Sequence, residues 1–222
     1  MSKHTPSPAE RRSFLTLIQT GAAAIATLAA SRVARAQEKA PAPAPFVHAL
    51  HPQDEWMEQI PGKHRMVIDT TTPDGFKDGL QGASNFMTAN RTGYGLQNSD
   101  LAVIVVARHL SAGYGFNSDM WAKYGSALSG ATPAADAPAK EAPKANPSAA
   151  SLATLSGQGV YFAVCGLSAR RMAGTIARST GGTADDVLAE LTANLVKNAR
   201  LVPAGIVAVN RAQERGYTLA RA

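Results

Sequence analysis

The 222-residue sequence contains a single cysteine, Cys165. One thiol excludes an internal disulfide framework and any zinc or iron–sulfur site built from several cysteines. It also excludes an intramolecular thiol–disulfide cycle, because a resolving thiol is missing from the chain. Long apolar runs are lacking too. The stretch 17–30 is only mildly apolar, is interrupted by Gln19, Thr20, Gly21 and Thr27, and is too short to span a bilayer as a helix. No stable membrane anchor is expected. The basic excess is smaller than the formal charge of +6 suggests, because residues 1–36 hold five of the 22 Lys and Arg and one of the 16 Asp and Glu. The remainder carries 17 basic against 15 acidic residues, a net of +2. That balance does not supply the clustered positive charge that non-specific nucleic-acid binding requires, so nucleic acid is not an expected partner. A dinucleotide fingerprint is also missing. Gly93, Gly95, Gly113 and Gly115 do not occupy the required strand-to-helix position, and Gly181-Gly182 follows a helical pattern and suits a C-cap. No nucleotide cofactor is expected.

The N-terminus reads as an export signal. Glu10-Arg11-Arg12-Ser13-Phe14-Leu15 precedes the mildly apolar stretch, and Ala34-Arg35-Ala36 supplies small residues at a cleavage site. This order resembles a twin-arginine signal peptide over residues 1–36, cleaved after Ala36. It implies contact with the twin-arginine translocase during export and a periplasmic mature protein. Ala40-Pro41-Ala42-Pro43-Ala44-Pro45 follows as an extended spacer, within a linker and N-terminal extension assigned to 37–62. A second low-complexity run, about 130–150, is dominated by Ala, Pro and Lys with almost no large apolar side chain. Burial cannot repay its ordering entropy, so a disordered surface insertion is expected there.

The rest, 63–222, is long enough for one domain with its own core. Strand patterns at 65–71, 101–107 and 160–164 alternate with helical spacings at 75–92, 118–128 and 169–178, the last with Ser168 as N-cap. Thr183 begins a further helix whose stripe is Val187, Leu188, Leu191 and Leu195, and a final helix at 204–215 lies between short strands at 201–202 and 217–219. Leu101-Ala-Val-Ile-Val-Val-Ala107 is the continuous β-branched run of a parallel strand buried on both faces. The alternation predicts an α/β fold, a three-layer α/β/α domain with a mostly parallel sheet of about five strands.

In such sheets ligands gather beyond the carboxyl ends of the strands. Cys165 falls there, with a helix starting within three residues. Helix amides and Arg170 or Arg171 would favour a thiolate; a buried cysteine acting as a small hydrophobe fits the same pattern. His109 follows the central strand at the same edge, where it would assist proton transfer or cap the strand. His48 and His51 form His-x-x-His beside the spacer, but no carboxylate or thiol spacing completes a copper or zinc site, and no metal is expected. Trp56 and Trp121 are expected to pack or to lie at an interface rather than to stack on a ligand.

Two segments carry a resemblance. Val160-Tyr-Phe-Ala-Val-Cys-Gly-Leu-Ser168 and Val202-Pro-Ala-Gly-Ile-Val-Ala-Val-Asn-Arg-Ala-Gln-Glu-Arg-Gly-Tyr217 resemble the DsrE-like family of small sulfur-handling proteins, a likeness that extends more weakly from about Lys63 onward. The resemblance implies the three-layer fold, frequent homo-oligomers and, in some members, a cysteine that carries sulfur as a persulfide. Cys165 is then the candidate carrier, with Ser168, Arg170 and His109 as thiolate or ligand support and no cofactor. A sulfur donor or acceptor protein would be its partner in periplasmic sulfur metabolism. The alternative is a non-catalytic oligomeric binding module in which the strand-end cleft takes a ligand or partner and Cys165 is structural.

Overall fold

The computed structural model describes residues 47–130 and 141–222; the signal, the Ala-Pro spacer and residues 131–140 of the insertion lie outside them. The folded unit runs from His48 to Ala222. Its elements in chain order are α1 (Trp56–Gln59), β1 (His64–Thr70), α2 (Pro73–Tyr94), β2 (Leu101–Ala107), α3 (Ser118–Leu128), α4 (Ala149–Gly157), β3 (Tyr161–Cys165), α5 (Gly166–Thr180), α6 (Ala184–Ala193), β4 (Ala199–Val202), α7 (Gly205–Glu214) and β5 (Thr218–Arg221). Short 3-10 turns occupy Pro52–Asp54, Asn98–Asp100 and His109–Gly115.

All five strands are parallel, in the order β4-β3-β2-β1-β5. From β1 to β4 each step moves in the same direction, so right-handed crossovers place α2 to α6 on one face. The step from β4 to β5 returns past three strands to the far side of β1, and the same handedness puts α7 on the opposite face. The burial pattern agrees. Along β2, Leu101, Val103, Val105 and Ala107 join the larger core with Phe76, Trp121 and Leu191. Ala102, Ile104 and Val106 join a smaller core with Trp56, Met57, Val209 and Tyr217. The result is the expected three-layer α/β/α arrangement, its second face covered by α7 and the single turn α1.

Local chemistry sets the helix ends. The Thr72 hydroxyl accepts from Gly75 N–H at 3.0 Å, the Asn117 amide oxygen from Met120 N–H at 3.2 Å and the Thr183 hydroxyl from Asp186 N–H at 3.1 Å. Gly181 ends α5 in the left-handed region, with φ 76°. One start differs from the sequence expectation. Helix α5 begins at Gly166 directly after β3, so its N-cap is Cys165 rather than Ser168, which stands third in the helix.

Within the stretch read as an insertion, Asn146 and Ser148 are buried and α4 begins at Ala149. The Asn146 amide donates to the carbonyls of Tyr114 and Phe116, both at 2.8 Å. The segment before 63 is likewise packed: Trp56, Met57 and Ile60 are buried against α7 and the sheet. Trp121 is buried in the main core and donates to Gly113 O at 3.0 Å. Among the described residues no helix is long and apolar enough to cross a membrane.

Candidate functional site

The parallel register brings the ends of β1, β2 and β3 to one edge. Asp69 is paired with Val106, and Thr70 with Ala107, so the residue after β2, Arg108, emerges beside the end of β1. Its guanidinium donates to both Asp69 carboxylate oxygens, Nε at 2.7 Å and Nη2 at 2.8 Å. Asp69 is almost completely enclosed, its side chain 3% exposed, and Arg108 is 17% exposed. The hydrogen bonding it donates to Asp69 is the main reason the Arg108 guanidinium holds its proton above its usual range; the Cys165 sulfur adds a smaller contribution. Ser111 completes the edge, accepting from Arg108 N–H at 2.9 Å and lying 3.1 Å from the Thr70 hydroxyl.

Cys165 ends β3 at the meeting of two helix N-termini. Burial is the largest influence on its thiol and pushes the pKa up. The Ser168 hydroxyl and the N–H groups of Gly205, Ser168 and Leu167 together outweigh it, so the pKa lies below the ordinary thiol value. Ser168 is itself held from the other side, since its hydroxyl oxygen accepts from His109 N–H at 3.0 Å. His109 adopts the left-handed conformation there, with φ 53°. Gly205 is required by close approach: a Cβ on it would lie 2.7 Å from Cβ of Arg108.

The structure therefore brings Cys165, Ser168 and the His109 backbone together, with Arg108, Asp69 and Gly205 around them. Arg170 is turned elsewhere, donating to Asp185 on α6 at 3.0 Å. Sequence reasoning missed Arg108 and Asp69. Their signal was a carboxylate inside one buried strand pattern and an arginine directly after the next, a pair that means nothing until the register is known. His48 and His51 gain no further ligand; among the described residues no group of three or more His, Cys, Asp or Glu is placed to hold a metal.

This packing overturns the sulfur-carrier expectation. Cys165 is 6% exposed and forms no disulfide. A persulfide carrier must present its sulfur first to a donor and then to an acceptor. Here the start of α5 and the turn into α7 enclose it. The same N–H groups that lower the pKa tie the sulfur to the backbone of the turn, where little of the residue is exposed. The reading of Cys165 as a catalytic persulfide site in sulfur transfer does not stand.

Beside the enclosed thiol the surface is open. A cleft of about 220 Å³ and a larger one of about 660 Å³ lie away from this edge, but one of about 410 Å³ lies on it, lined by Leu167, Arg170, Leu188, Leu201, Val202 and Pro203 among others. A smaller one of about 120 Å³ lies on the other side of the first turn of α5, against His109, Leu110 and Arg171. The edge thus offers concave surface of mixed apolar and polar character, with Arg170 and its partner Asp185 beside one cleft and Arg171 beside the other.

No known protein family and no characterised protein matches the chain. Among solved structures, it aligns with a protein of unknown function from Methanobacterium thermoautotrophicum at 16% identity, with a TM-score of 0.40, covering 72% of this chain and 100% of the other.

Proposed function

We propose that the protein is a non-catalytic binding module that uses the carboxyl end of its sheet to hold a ligand or partner, with Cys165 as a structural residue of the β3–α5 turn. The observation that carries this is the enclosure of the only thiol beside an open cleft of mixed apolar and polar lining at the strand ends. Assembly as a homo-oligomer belongs to the same reading. It is supported by β4 and β5, each paired on one side only among the described residues, since unpaired strand edges are templates for association. The fold is read as the DsrE-like variant of the three-layer class, on the Val-Cys-Gly strand end and the Val202 to Tyr217 closing segment. The twin-arginine signal would deliver the module to the periplasm.

The test is thiol alkylation of the folded protein beside a free-cysteine standard, with native mass spectrometry on the same sample. The expected outcome is a Cys165 that stays unmodified until denaturant is added, in an oligomer that Cys165→Ala preserves. Rapid modification of the folded protein would overturn the structural role of Cys165, and a monomer would overturn the assembly.

A further inference from the structure

We infer that residues 48–62 form a strap that lifts from the second face of the sheet as one unit, before the sheet itself unfolds, and that its docking shapes the cleft at the strand ends. This rests on the binding-module reading and names the regulation of that same site. The strap reaches the cleft through Gln53, which lines the 410 Å³ space together with Leu167, Val202 and Pro203 and is the one lining residue that precedes β1. Its other end joins β1 through Pro61 and Gly62. The cleft is therefore built from two parts, the sheet edge and a segment laid against it.

The way the strap is held sets it apart from what it covers. Each strand is joined to its neighbours by a backbone ladder. Among the described residues the backbone hydrogen bonds of the strap stay inside it: Asp54 N–H donates to His51 O, Glu55 N–H to Pro52 O, and Glu58 and Gln59 N–H to Glu55 O. Backbone pairing with the rest of the fold starts only at Lys63, whose N–H donates to Asp100 O at 3.0 Å. Side chains do the fastening. The Arg65 guanidinium donates to four strap carbonyls, Gly62 at 3.2 Å, Met57 at 3.3 Å, and Glu58 and Ile60 at 3.4 Å. Nearer the cleft, Arg211 Nε stands 3.7 Å from the enclosed Asp54 carboxylate, and Trp56 lies against Tyr161 with the Arg200 guanidinium over its ring. All of these contacts can be given up without breaking one ladder bond, which is the condition for an opening that costs less than unfolding the whole domain. Trp56, Met57 and Ile60 are buried, so the docked state dominates. These anchors and Asp54 are close neighbours in sequence, so they leave the face together. Lifting carries Gln53 out of the cleft wall. Strap docking and cleft occupancy are thereby linked: an occupant that touches Gln53 holds the strap down, and a loosened strap weakens the site by the same factor.

The experiment is amide hydrogen exchange of the folded full chain, residue by residue, in urea concentrations below the unfolding transition. The amides of Asp54, Glu55, Glu58 and Gln59 are expected to share one opening equilibrium, at least about 100-fold more populated than the opening that exposes the β2 amides. That opening should depend less steeply on urea, because it bares less surface. Arg65→Ala removes bonds only at the Met57–Gly62 end of the strap, yet it should speed exchange at Asp54 and Glu55 by the same factor, about tenfold, as at Glu58 and Gln59. Arg211→Gln, acting near the cleft, should transmit its effect the other way, to Glu58 and Gln59. Strap amides that exchange only together with β2 would overturn the inference by showing the strap to be an inseparable part of the core. So would variants that each speed only the amides nearest to them, since the strap would then fray piecemeal and Gln53 would stay in place. Neither result touches the binding-module reading, which the alkylation test decides separately.

Discussion

Arg108 and Asp69 show how a residue at a strand end acquires meaning from its neighbours. Each is an ordinary charged side chain in the sequence; in the fold they form a two-point pair beneath the α7 N-terminus, in an environment where breaking such a pair strands a buried charge. Cys165 is the second case. Its sequence context, a thiol between a strand and a helix, left two readings open, and side-chain enclosure separates them. The depressed pKa remains informative as a statement about stability. A group whose folded pKa lies below its unfolded value contributes stability that is present above the unfolded pKa and is lost as the pH falls through the folded one. The stability of the protein relative to Cys165→Ala should therefore rise as the pH is raised from neutral toward the ordinary thiol range, and level off above it. Urea unfolding of both proteins across that pH range measures the difference; a gap independent of pH would show that the amides around the sulfur do not favour its anion.

At the scale of elements, the strands and most helices were legible because their patterns are local. The apolar run of β2, the spacing of the α2 core residues and the Thr183 cap each specify an element from a few neighbouring residues. Two kinds of element were not. Helix α4 has only Leu152 and Leu155 as large buried anchors in a run rich in Ala and Ser, so its composition resembles the insertion that precedes it. The seven-residue turn at His109–Gly115 exists because of packing: Gly113 and Gly115 stand where the turn passes close to α3 and β3. A Cβ at Gly115 would be driven into the Val164 side chain, itself fully buried. Gly115→Ala is accordingly expected to destabilise the protein by about 1–3 kcal/mol through overpacking, as measured by the urea midpoint at constant slope. Those two glycines were set aside in the sequence for lacking a nucleotide motif; their use is to let a loop lie flat on the sheet end. Of the candidate site, Cys165, Ser168 and the position of His109 were legible, and the enclosure that decides the chemistry was not.

For the molecule as a whole, the two faces of the sheet are unequally covered. Five helices lie on one face, while α7 and the segment at 52–60 cover the other. The latter segment is fastened at several points. The Tyr217 hydroxyl donates to Met57 O at 2.6 Å, and Arg65 donates to Gly62 O at 3.2 Å and to Met57 O at 3.3 Å. Arg215 Nε donates to Glu58 at 2.9 Å. Burial pushes the Tyr217 hydroxyl up to about 12, against the smaller opposing effects of Arg65 and Arg215. A chain started at Lys63 lacks Trp56, Met57 and Ile60 from the second core. Relative to one started at His48, it should lose roughly 3–6 kcal/mol and bind a hydrophobic dye in the native state. Thermal unfolding of the two chains with dye fluorescence is the measurement, and equal stability would mean that α7 alone suffices on that face.

The return of β5 to the first strand has a consequence for how the fold is made. Thr218 bonds to the Arg65 carbonyl across 153 positions of sequence, and residues 218–221 supply the outer neighbour of β1. As the chain grows from the ribosome, β1 to β4 can pair in the order in which they appear, each with its predecessor. The outer side of β1 stays open until more than 150 further residues have followed it. Closure of the sheet is thus a late, long-range event, and such contacts slow folding because their loop entropy is lost before they form. During that interval a half-finished sheet exposes the flank of its oldest strand, and the concentration of nascent chains, rather than the stability of the finished fold, sets how often two of them meet there.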